Sequence, residues 1–110
     1  MKRKEKIESL LQVEIASLIQ HKLNDNRIGF ISITDVSMSK DFREAFVYYS
    51  QIGSEEQKEI TKKGLSSATK FIHAELSKMI RYMAIPKLKF RFDTSLERGV
   101  KLVDKLNDLS

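Results

Sequence analysis

The apolar residues of this chain recur at two periods, and each period predicts one kind of secondary structure. A spacing of three and four residues, typical of one buried helix face, runs through 2–23 and 64–83. Alternation, typical of a half-buried strand, runs through 28–36, 42–50 and 87–93. The stripe of the first helix consists of Ile7, Leu10, Leu11, Ile15, Leu18, Ile19 and Leu23. The stripe of the later helix consists of Leu65, Ala68, Phe71, Ile72, Leu76, Met79, Ile80 and Met83.

Capping and helix-breaking residues mark the ends of the helices. Ser54-Glu55-Glu56-Gln57 fits a capping box and predicts a helix from Ser54 to about Lys63, followed by a break or bend near Gly64. Pro86 lacks an N–H and is predicted to stop the helix that begins at Gly64. A second capping box, Thr94-Ser95-Leu96-Glu97, predicts a last helix.

The predicted elements follow the order α-β-β-α-α-β-α. A hairpin-length loop, 37–41, joins the first two strands, which are therefore expected to be antiparallel within a small mixed or antiparallel sheet. The first helix and the helix from Gly64 carry the largest apolar stripes, so we expect both to cover the sheet. The chain of 110 residues is predicted to form a single domain, an α+β two-layer sandwich.

Positive charge is concentrated in one segment of the chain. Residues 61–92 carry eight cations and one anion, a net charge of +7, whereas the whole chain carries +5. A basic segment on a near-neutral remainder indicates a surface that faces a polyanion. The candidate RNA-binding residues are Lys62, Lys63, Lys70, His73, Lys78 and Arg81 on the helices and Lys87, Lys89 and Arg91 on the third strand.

Aromatic residues on the strands have two interpretations. Phe90 and Phe92 alternate with the strand cations and are predicted to be core residues. Phe46 and Tyr48, on the second strand, either form exposed platforms for stacked bases or pack under the terminal helices, and we favour packing.

The composition argues against several classes of protein. The chain has no Cys, which excludes disulfides and thiolate metal sites, and no apolar run approaches the roughly 20 residues of a membrane span. His21 and His73 lie on different predicted helices, and no carboxylate cluster completes a ligand set. Ser37-Met38-Ser39-Lys40 matches a Ser-x-x-Lys pattern but lies in a predicted loop without a companion motif. We therefore expect a cytoplasmic protein that is not an enzyme and has no metal or cofactor.

The basic N-terminus has two open interpretations. Lys2, Arg3, Lys4 and Lys6 crowd the first turn of the first helix, where the helix dipole disfavours cations. The segment is either a frayed, solvated terminus or an arm that contacts phosphates.

Several motifs resemble those of one known family. They are Asp25-Asn26-Arg27, Ser39-Lys40-Asp41, Ala45-Phe46-Val47-Tyr48-Tyr49-Ser50, Ala68-Thr69-Lys70-Phe71-Ile72-His73 and Ile85-Pro86-x-Leu88-x-Phe90-x-x-Asp93-x-Ser95. The chain resembles the ribosome-binding factor A family, whose domain is a type II KH-like fold. The resemblance spans nearly the whole chain and implies a non-enzymatic, cytoplasmic assembly factor without a cofactor. Such a factor binds the small (30S) ribosomal subunit, supports maturation and 5′-end processing of its 16S rRNA, and matters for growth in the cold.

This chain departs from the family pattern where KH domains hold RNA. KH domains clamp RNA with a Gly-x-x-Gly loop, whereas Gly64-Leu65-Ser66-Ser67 lacks the second glycine. The family carries an Ala-x-Gly kink, and the matching Ala68-Thr69-Lys70 has Lys in place of Gly. Because Lys70 is not expected to adopt positive φ, we predict a bend that is shallower or displaced toward Gly64 or 66–67.

Two functional hypotheses and one assembly state follow from the sequence. The first hypothesis is an RNA-binding assembly factor of the small subunit. The alternative is a basic protein-interaction domain that binds an acidic protein partner without contacting RNA. In either case, we expect a monomer, because the basic faces would repel a symmetric copy.

Overall fold

Two helices and three strands make up the part of the chain that the computed structural model describes, residues 2–94. They are α1 (Arg3–His21), β1 (Ser32–Met38), β2 (Glu44–Ser50), α2 (Glu55–Met79) and β3 (Lys87–Phe92). The sheet order is β1-β2-β3, with β1 and β2 antiparallel and β2 and β3 parallel, so the sheet is mixed. Both helices share one hydrophobic core with the sheet, which confirms the α+β prediction. The predicted last helix lies outside the described residues, and neither described helix is long and apolar enough to cross a membrane.

The first helix forms where its apolar stripe predicted it. Ile7, Leu11, Ile15 and Leu18 are buried on one side of α1, as three-and-four spacing requires. Next to this buried side, Glu8 and Gln12 of α1 contact the edge strand β1. A Glu8 carboxylate oxygen accepts a hydrogen bond from the Met38 N–H at 2.6 Å, and the Gln12 amide donates to the Ile33 carbonyl at 3.3 Å. These contacts satisfy polar groups of β1, the edge strand of the sheet.

The hairpin between β1 and β2 is ordered by short polar side chains. Ser39 Oγ donates to an Asp41 carboxylate oxygen at 2.8 Å and accepts from the Glu44 N–H at 3.0 Å. Phe42 adopts φ 62°, in the left-handed region, and therefore lies in the turn. The second strand was predicted to begin at Phe42, but this turn delays it to Glu44.

The middle of the chain contains one continuous helix, not the two predicted. Its start is confirmed: Ser54 Oγ accepts from the Gln57 N–H at 3.1 Å, and the Gln57 side chain accepts from the Ser54 N–H, which completes the capping box. The predicted break near Gly64 is wrong, because α2 passes through Gly64 and Lys70 as regular helix. The α-α step of the predicted KH-like order is thus absent. The expectation that Lys70 avoids positive φ is confirmed, since Phe42 is the non-glycine residue with positive φ among those described.

Gly64 has a packing role instead of a hinge role. A Cβ atom at this position would lie 2.8 Å from Ile28 Cγ1 and 3.1 Å from Arg27 Cβ. The loop before β1 therefore packs against the helix backbone at Gly64, and Thr61 anchors the same loop by accepting from the Gly29 N–H at 3.3 Å. Glycine is required here for close approach.

The end of α2 also differs from the prediction. The helix stops at Met79, well before Pro86, and Ile80 adopts an extended conformation while its side chain stays buried. Segment 80–86 then crosses to β3, with Pro86 fully buried. Two residues of the predicted stripe, Phe71 and Met79, are exposed because they fall off the buried side of the helix.

The two faces of the sheet have different surroundings. Ala45, Val47 and Tyr49 of β2 face the helices and are buried. Phe46 and Tyr48, which alternate with them, are half-buried on the opposite face. Within residues 2–94 both helices lie on the Val47 side, so α1 does not cover Phe46 and Tyr48, and the other terminal helix of the favoured interpretation lies outside the described residues. We call the surface that carries Phe46 and Tyr48 the open face.

The aromatic residues of β3 are less buried than predicted. Leu88 is fully in the core, whereas Phe90 is partly buried and packs against the core. Phe92 is 37% exposed and contacts the Tyr49 ring edge to face, with centroids 5.7 Å apart. The predicted alternation is right, but the two described helices do not cover the end of β3, so its last side chains are less buried.

Candidate nucleic-acid interface

A basic groove lies between α2 and β3. Its volume is about 220 Å³. The groove is lined by Lys62, Ser66 and Thr69 on the helix, by Leu88, Lys89 and Phe90 on the strand, and by Tyr49 below. Lys62, Ser66 and Thr69 share one side of α2 because they are spaced by four and three residues. Burial raises the pKa of the Tyr49 phenol, so it remains neutral beneath the groove.

Ser66 and Thr69 contribute differently to this groove. The Thr69 hydroxyl donates to the Leu65 carbonyl at 2.8 Å, whereas Ser66 is exposed. Sequence reasoning missed both residues, although their spacing from Lys62 would have revealed them. Lys63 and Lys70 are exposed further around the helix, toward solvent. The groove side of α2 therefore presents lysines and one accessible hydroxyl.

His73 connects the helix to the chain that follows it. Its ring is half-buried, and Nε2 lies 3.0 Å from the Ile85 carbonyl oxygen. A carbonyl only accepts, so this nitrogen carries the proton and donates. The contact fixes segment 80–86 against α2 just before β3 begins.

Lys78 and Arg81 lie away from the side of α2 that carries Lys62, Ser66 and Thr69. Lys78 points toward α1, where its ammonium lies 3.9 Å from the Glu75 carboxylate, and Lys22 approaches the same carboxylate at 3.7 Å. Arg81 is exposed but follows the end of the helix at Met79, so helical spacing no longer relates it to Lys70. The structure therefore separates this pair from the groove.

The strand cations lie on the open face. Lys87, Lys89 and Arg91 are in register with Glu44, Phe46 and Tyr48 of β2. Lys89 also forms an ion pair with Glu44 at 2.5 Å. The candidate residues of the sequence thus lie in three places. Some are on the groove side of α2, and the strand cations are on the open face, where Lys89 also borders the groove. Lys78 and Arg81 lie on a separate flank.

A salt bridge that the sequence did not reveal organises the loop next to the groove helix. Arg27 contacts both carboxylate oxygens of Asp25, at 3.0 and 2.7 Å, and reaches the Ser67 hydroxyl on α2 at 3.4 Å. The Arg27 hydrogen bonds hold the pKa of Asp25 down at about 2. The same pairing raises the pKa of Arg27. The pair holds the loop on the helix rather than leaving a free cation.

Fold and charge together define a small two-layer α+β domain with a basic groove and a basic sheet face. This combination is typical of nucleic-acid-binding modules. Over residues 3–106 the chain matches the sequence model described as ribosome-binding factor A. The chain belongs to the ribosome-binding factor A family.

Individual relatives agree with this assignment. The chain is 43% identical over 108 residues to ribosome-binding factor A of Dictyoglomus thermophilum, covering 97% of this chain and 90% of that protein. It is 42% identical over 92 residues to the Nitrosomonas eutropha protein of the same name, covering 84% and 79%.

Solved structures show the same fold. The crystal structure of ribosome-binding factor A from Thermus thermophilus superposes with a TM-score of 0.71 at 29% identity, covering 81% of this chain and 93% of that one. Coordinates of the Thermus thermophilus factor fitted into a cryo-EM map of its 30S complex give a TM-score of 0.64 at 29% identity, covering 77% and 89%.

Proposed function

We propose that this chain binds the small (30S) ribosomal subunit and assists its assembly, including maturation and 5′-end processing of 16S rRNA. Support comes from its family, from the 30S complex of a structural relative, and from the basic groove. The observation that carries the proposal is the row of Lys62, Ser66 and Thr69 facing β3, with Lys70 exposed four residues after Ser66 on the same helix. A cationic, hydroxyl-bearing helix side next to a strand edge suits an RNA backbone.

The remaining parts of the proposal follow from the same role. The chain acts in the cytoplasm as a monomer and as one RNA-binding domain of 110 residues, and it supports growth in the cold. It works without a cofactor and without catalysis, because an assembly factor needs only differential affinity for subunit states.

In this proposal the domain contacts RNA in a different way from a KH domain with a Gly-x-x-Gly loop. In a Gly-x-x-Gly loop, free backbone N–H groups can meet phosphates. Here Gly64-Leu65-Ser66-Ser67 lies within α2, where backbone N–H groups are used by i→i−4 hydrogen bonds. RNA contacts must therefore come from side chains, and the exposed ones on that part of the helix include Lys62, Lys63, Ser66 and Lys70.

In this proposal, each of the other candidate residues also has a role or a location. His73 borders the groove while holding Ile85, so it positions the groove wall and can also meet a phosphate. Lys78 and Arg81 form a separate basic flank beyond the groove. Lys87, Lys89 and Arg91 are candidate RNA contacts on the open face of the sheet, where Lys89 is already paired with Glu44.

Cosedimentation with purified 30S subunits tests the proposal. We expect the wild-type protein to sediment with 30S and the double variant Lys62→Glu/Lys70→Glu to remain unbound. Lys40→Glu/Arg43→Glu, in the hairpin loop, changes the net charge equally and should retain binding. Lys78→Glu/Arg81→Glu reports separately on the second flank.

The salt dependence of binding adds a quantitative check. Each phosphate that a variant no longer neutralises should reduce the log–log slope of affinity against salt by about 0.7–0.9, so the groove variant should flatten the slope by about 1.4–1.8. Equal decreases in affinity for the groove and hairpin variants would mean that only total charge matters. Failure of the wild type to bind 30S, with capture of an acidic protein instead, would support the protein-interaction alternative.

A further inference from the structure

The open face of the sheet combines aromatic rings with cations. It is formed by Phe46 and Tyr48 of β2 and by Lys87, Lys89 and Arg91 of β3. Within residues 2–94 the two helices occupy the other face, and Phe46 and Tyr48 are half-buried rather than fully buried. Aromatic side chains that neither helix of residues 2–94 covers, set among cations, suggest a contact surface.

On this face, two cations of β3 lie close to the ring of Phe46. Lys89 is the cross-strand partner of Phe46, and its ammonium lies 5.9 Å from the ring centroid. The Arg91 guanidinium lies 5.6 Å from the same centroid. Both distances are within the range of cation–π attraction, so the cations restrict where the ring can lie. The neighbouring ring, Tyr48, is the cross-strand partner of Arg91.

The acidic residues of this face leave part of its positive charge available. Glu44 pairs with Lys89 at 2.5 Å, and Asp35, opposite Tyr48, accepts from the Val36 N–H at 2.9 Å. Among residues 2–94 neither Lys87 nor Arg91 forms an ion pair. Lys89 therefore braces the ring, while Lys87 and Arg91 are exposed and can meet a polyanion.

We propose that the open face is a second RNA-binding surface, on which Phe46 and Tyr48 stack unpaired bases while Lys87 and Arg91 contact phosphates. This inference rests on the proposed function and adds single-stranded RNA as the ligand of a surface separate from the groove. Residues two apart on a strand are about 6.6–6.8 Å apart, about twice the 3.4 Å rise of stacked bases, so neighbouring bases can use neighbouring rings when they are unstacked from each other, as single-stranded RNA allows. An acidic protein would satisfy the cations but would not require exposed rings.

Binding of a fluorescein-labelled single-stranded RNA of about 12 nucleotides tests the surface, since single domains cover comparable lengths. Phe46→Leu/Tyr48→Leu removes both rings but keeps apolar volume, and it should weaken affinity roughly 5- to 150-fold for each stacked base that no longer has a ring. The salt slope should stay unchanged, because stacking releases no counterions. Phe71→Leu/Tyr82→Leu, two exposed aromatic residues away from the sheet, is the matched control and should bind like wild type.

The same assay separates this inference from the proposed function. If Lys62→Glu/Lys70→Glu loses RNA while Phe46→Leu/Tyr48→Leu keeps it, the groove stands and the open face is not an RNA surface. If the ring variant loses 30S binding but keeps single-stranded RNA, the face contacts a ribosomal protein and the inference is overturned. If wild type binds neither RNA nor 30S, both ideas fail.

A measurement on the wild-type protein tests the surface without relying on the folding of any variant. Aromatic proton resonances of Phe46 and Tyr48 should move upfield when the RNA is added, because stacked bases shield them. Resonances of Phe71 and Tyr82 should stay in place. Unmoved Phe46 and Tyr48 signals at saturating RNA would overturn the inference, whatever the variants show.

Discussion

The covered face and the open face of the sheet are built from alternate residues of the same strands, yet they meet different surroundings. On β3, Leu88 is 4% exposed against the helices, whereas its neighbours Lys87 and Arg91 are exposed on the other side. On β2, Val47 is fully buried while Phe46 is half-buried beside two cations. Period-two alternation therefore lets one short strand contribute to the core and to a basic surface at once.

The largest expected loss of stability comes from truncating a residue of the covered face. Leu88→Ala should lower the free energy of unfolding by about 2–5 kcal/mol, because it removes a buried side chain and leaves a cavity. Arg91→Ala, on the open face of the same strand, should change it by no more than about 0.5 kcal/mol. Urea unfolding measures both. Equal decreases would mean that the open face is packed like a core.

Phe90 lies on the covered face but at the border of the groove, so it tests where the core ends. Phe90→Ala should cost about 2–3 kcal/mol, less than the roughly 3–5 kcal/mol of a fully buried phenylalanine, because this ring is partly buried. Thermal unfolding and RNA binding should be measured together. A midpoint that hardly moves while RNA binding collapses would make Phe90 a stacking residue instead.

On α2, Gly64 and Ser66 provide a similar contrast between a packed position and an exposed one. Alanine favours a helix interior by about 1 kcal/mol over glycine, so propensity alone predicts stabilisation by Gly64→Ala. The added Cβ would meet Ile28 Cγ1 at 2.8 Å, and a branched side chain cannot easily withdraw. We expect a net decrease of about 1–2 kcal/mol in the free energy of unfolding, measured in urea. Ser66→Ala, at an exposed position of the same helix, is the control and should be neutral or slightly stabilising.

The sequence predicted the features that depend on local periodicity and capping. The α1 stripe, the Ser54 capping box and the alternation on β2 are confirmed because each depends on residues close in the chain. Gly64 was misread because its role depends on Ile28, a residue far away in sequence. The helix end at Met79 was missed for a similar reason, since Ile80 leaves the helix to join the core. Tertiary contacts override propensity at both places.

For the candidate site, too, the sequence indicated the residue types but not their placement, which depends on contacts distant in sequence. The sequence identified the cations as candidate surface groups, because a lysine is rarely buried unless paired; most of them are exposed, whereas His73 and Lys89 are half-buried. It could not divide them between the groove and the open face, since the division depends on which side of the sheet the helices cover. It also could not show that Glu44 neutralises Lys89 across the strands.

The smallest expected effect concerns the loop that packs on Gly64. Arg27 holds the pKa of Asp25 at about 2, so the folded protein binds fewer protons than the unfolded chain between that value and the ordinary one. The pairing therefore stabilises the fold above the ordinary range, and this contribution is lost as pH falls toward 2. Arg27→Gln should raise the pKa of Asp25 toward its usual value, as followed by NMR titration of the carboxyl carbon. The pKa of Asp41, lowered mainly by its hydrogen bond from Ser39, is the internal control and should stay low. If Asp25 keeps its low pKa without Arg27, the bidentate pair does not organise the loop, and Gly64 alone accounts for its close approach to α2.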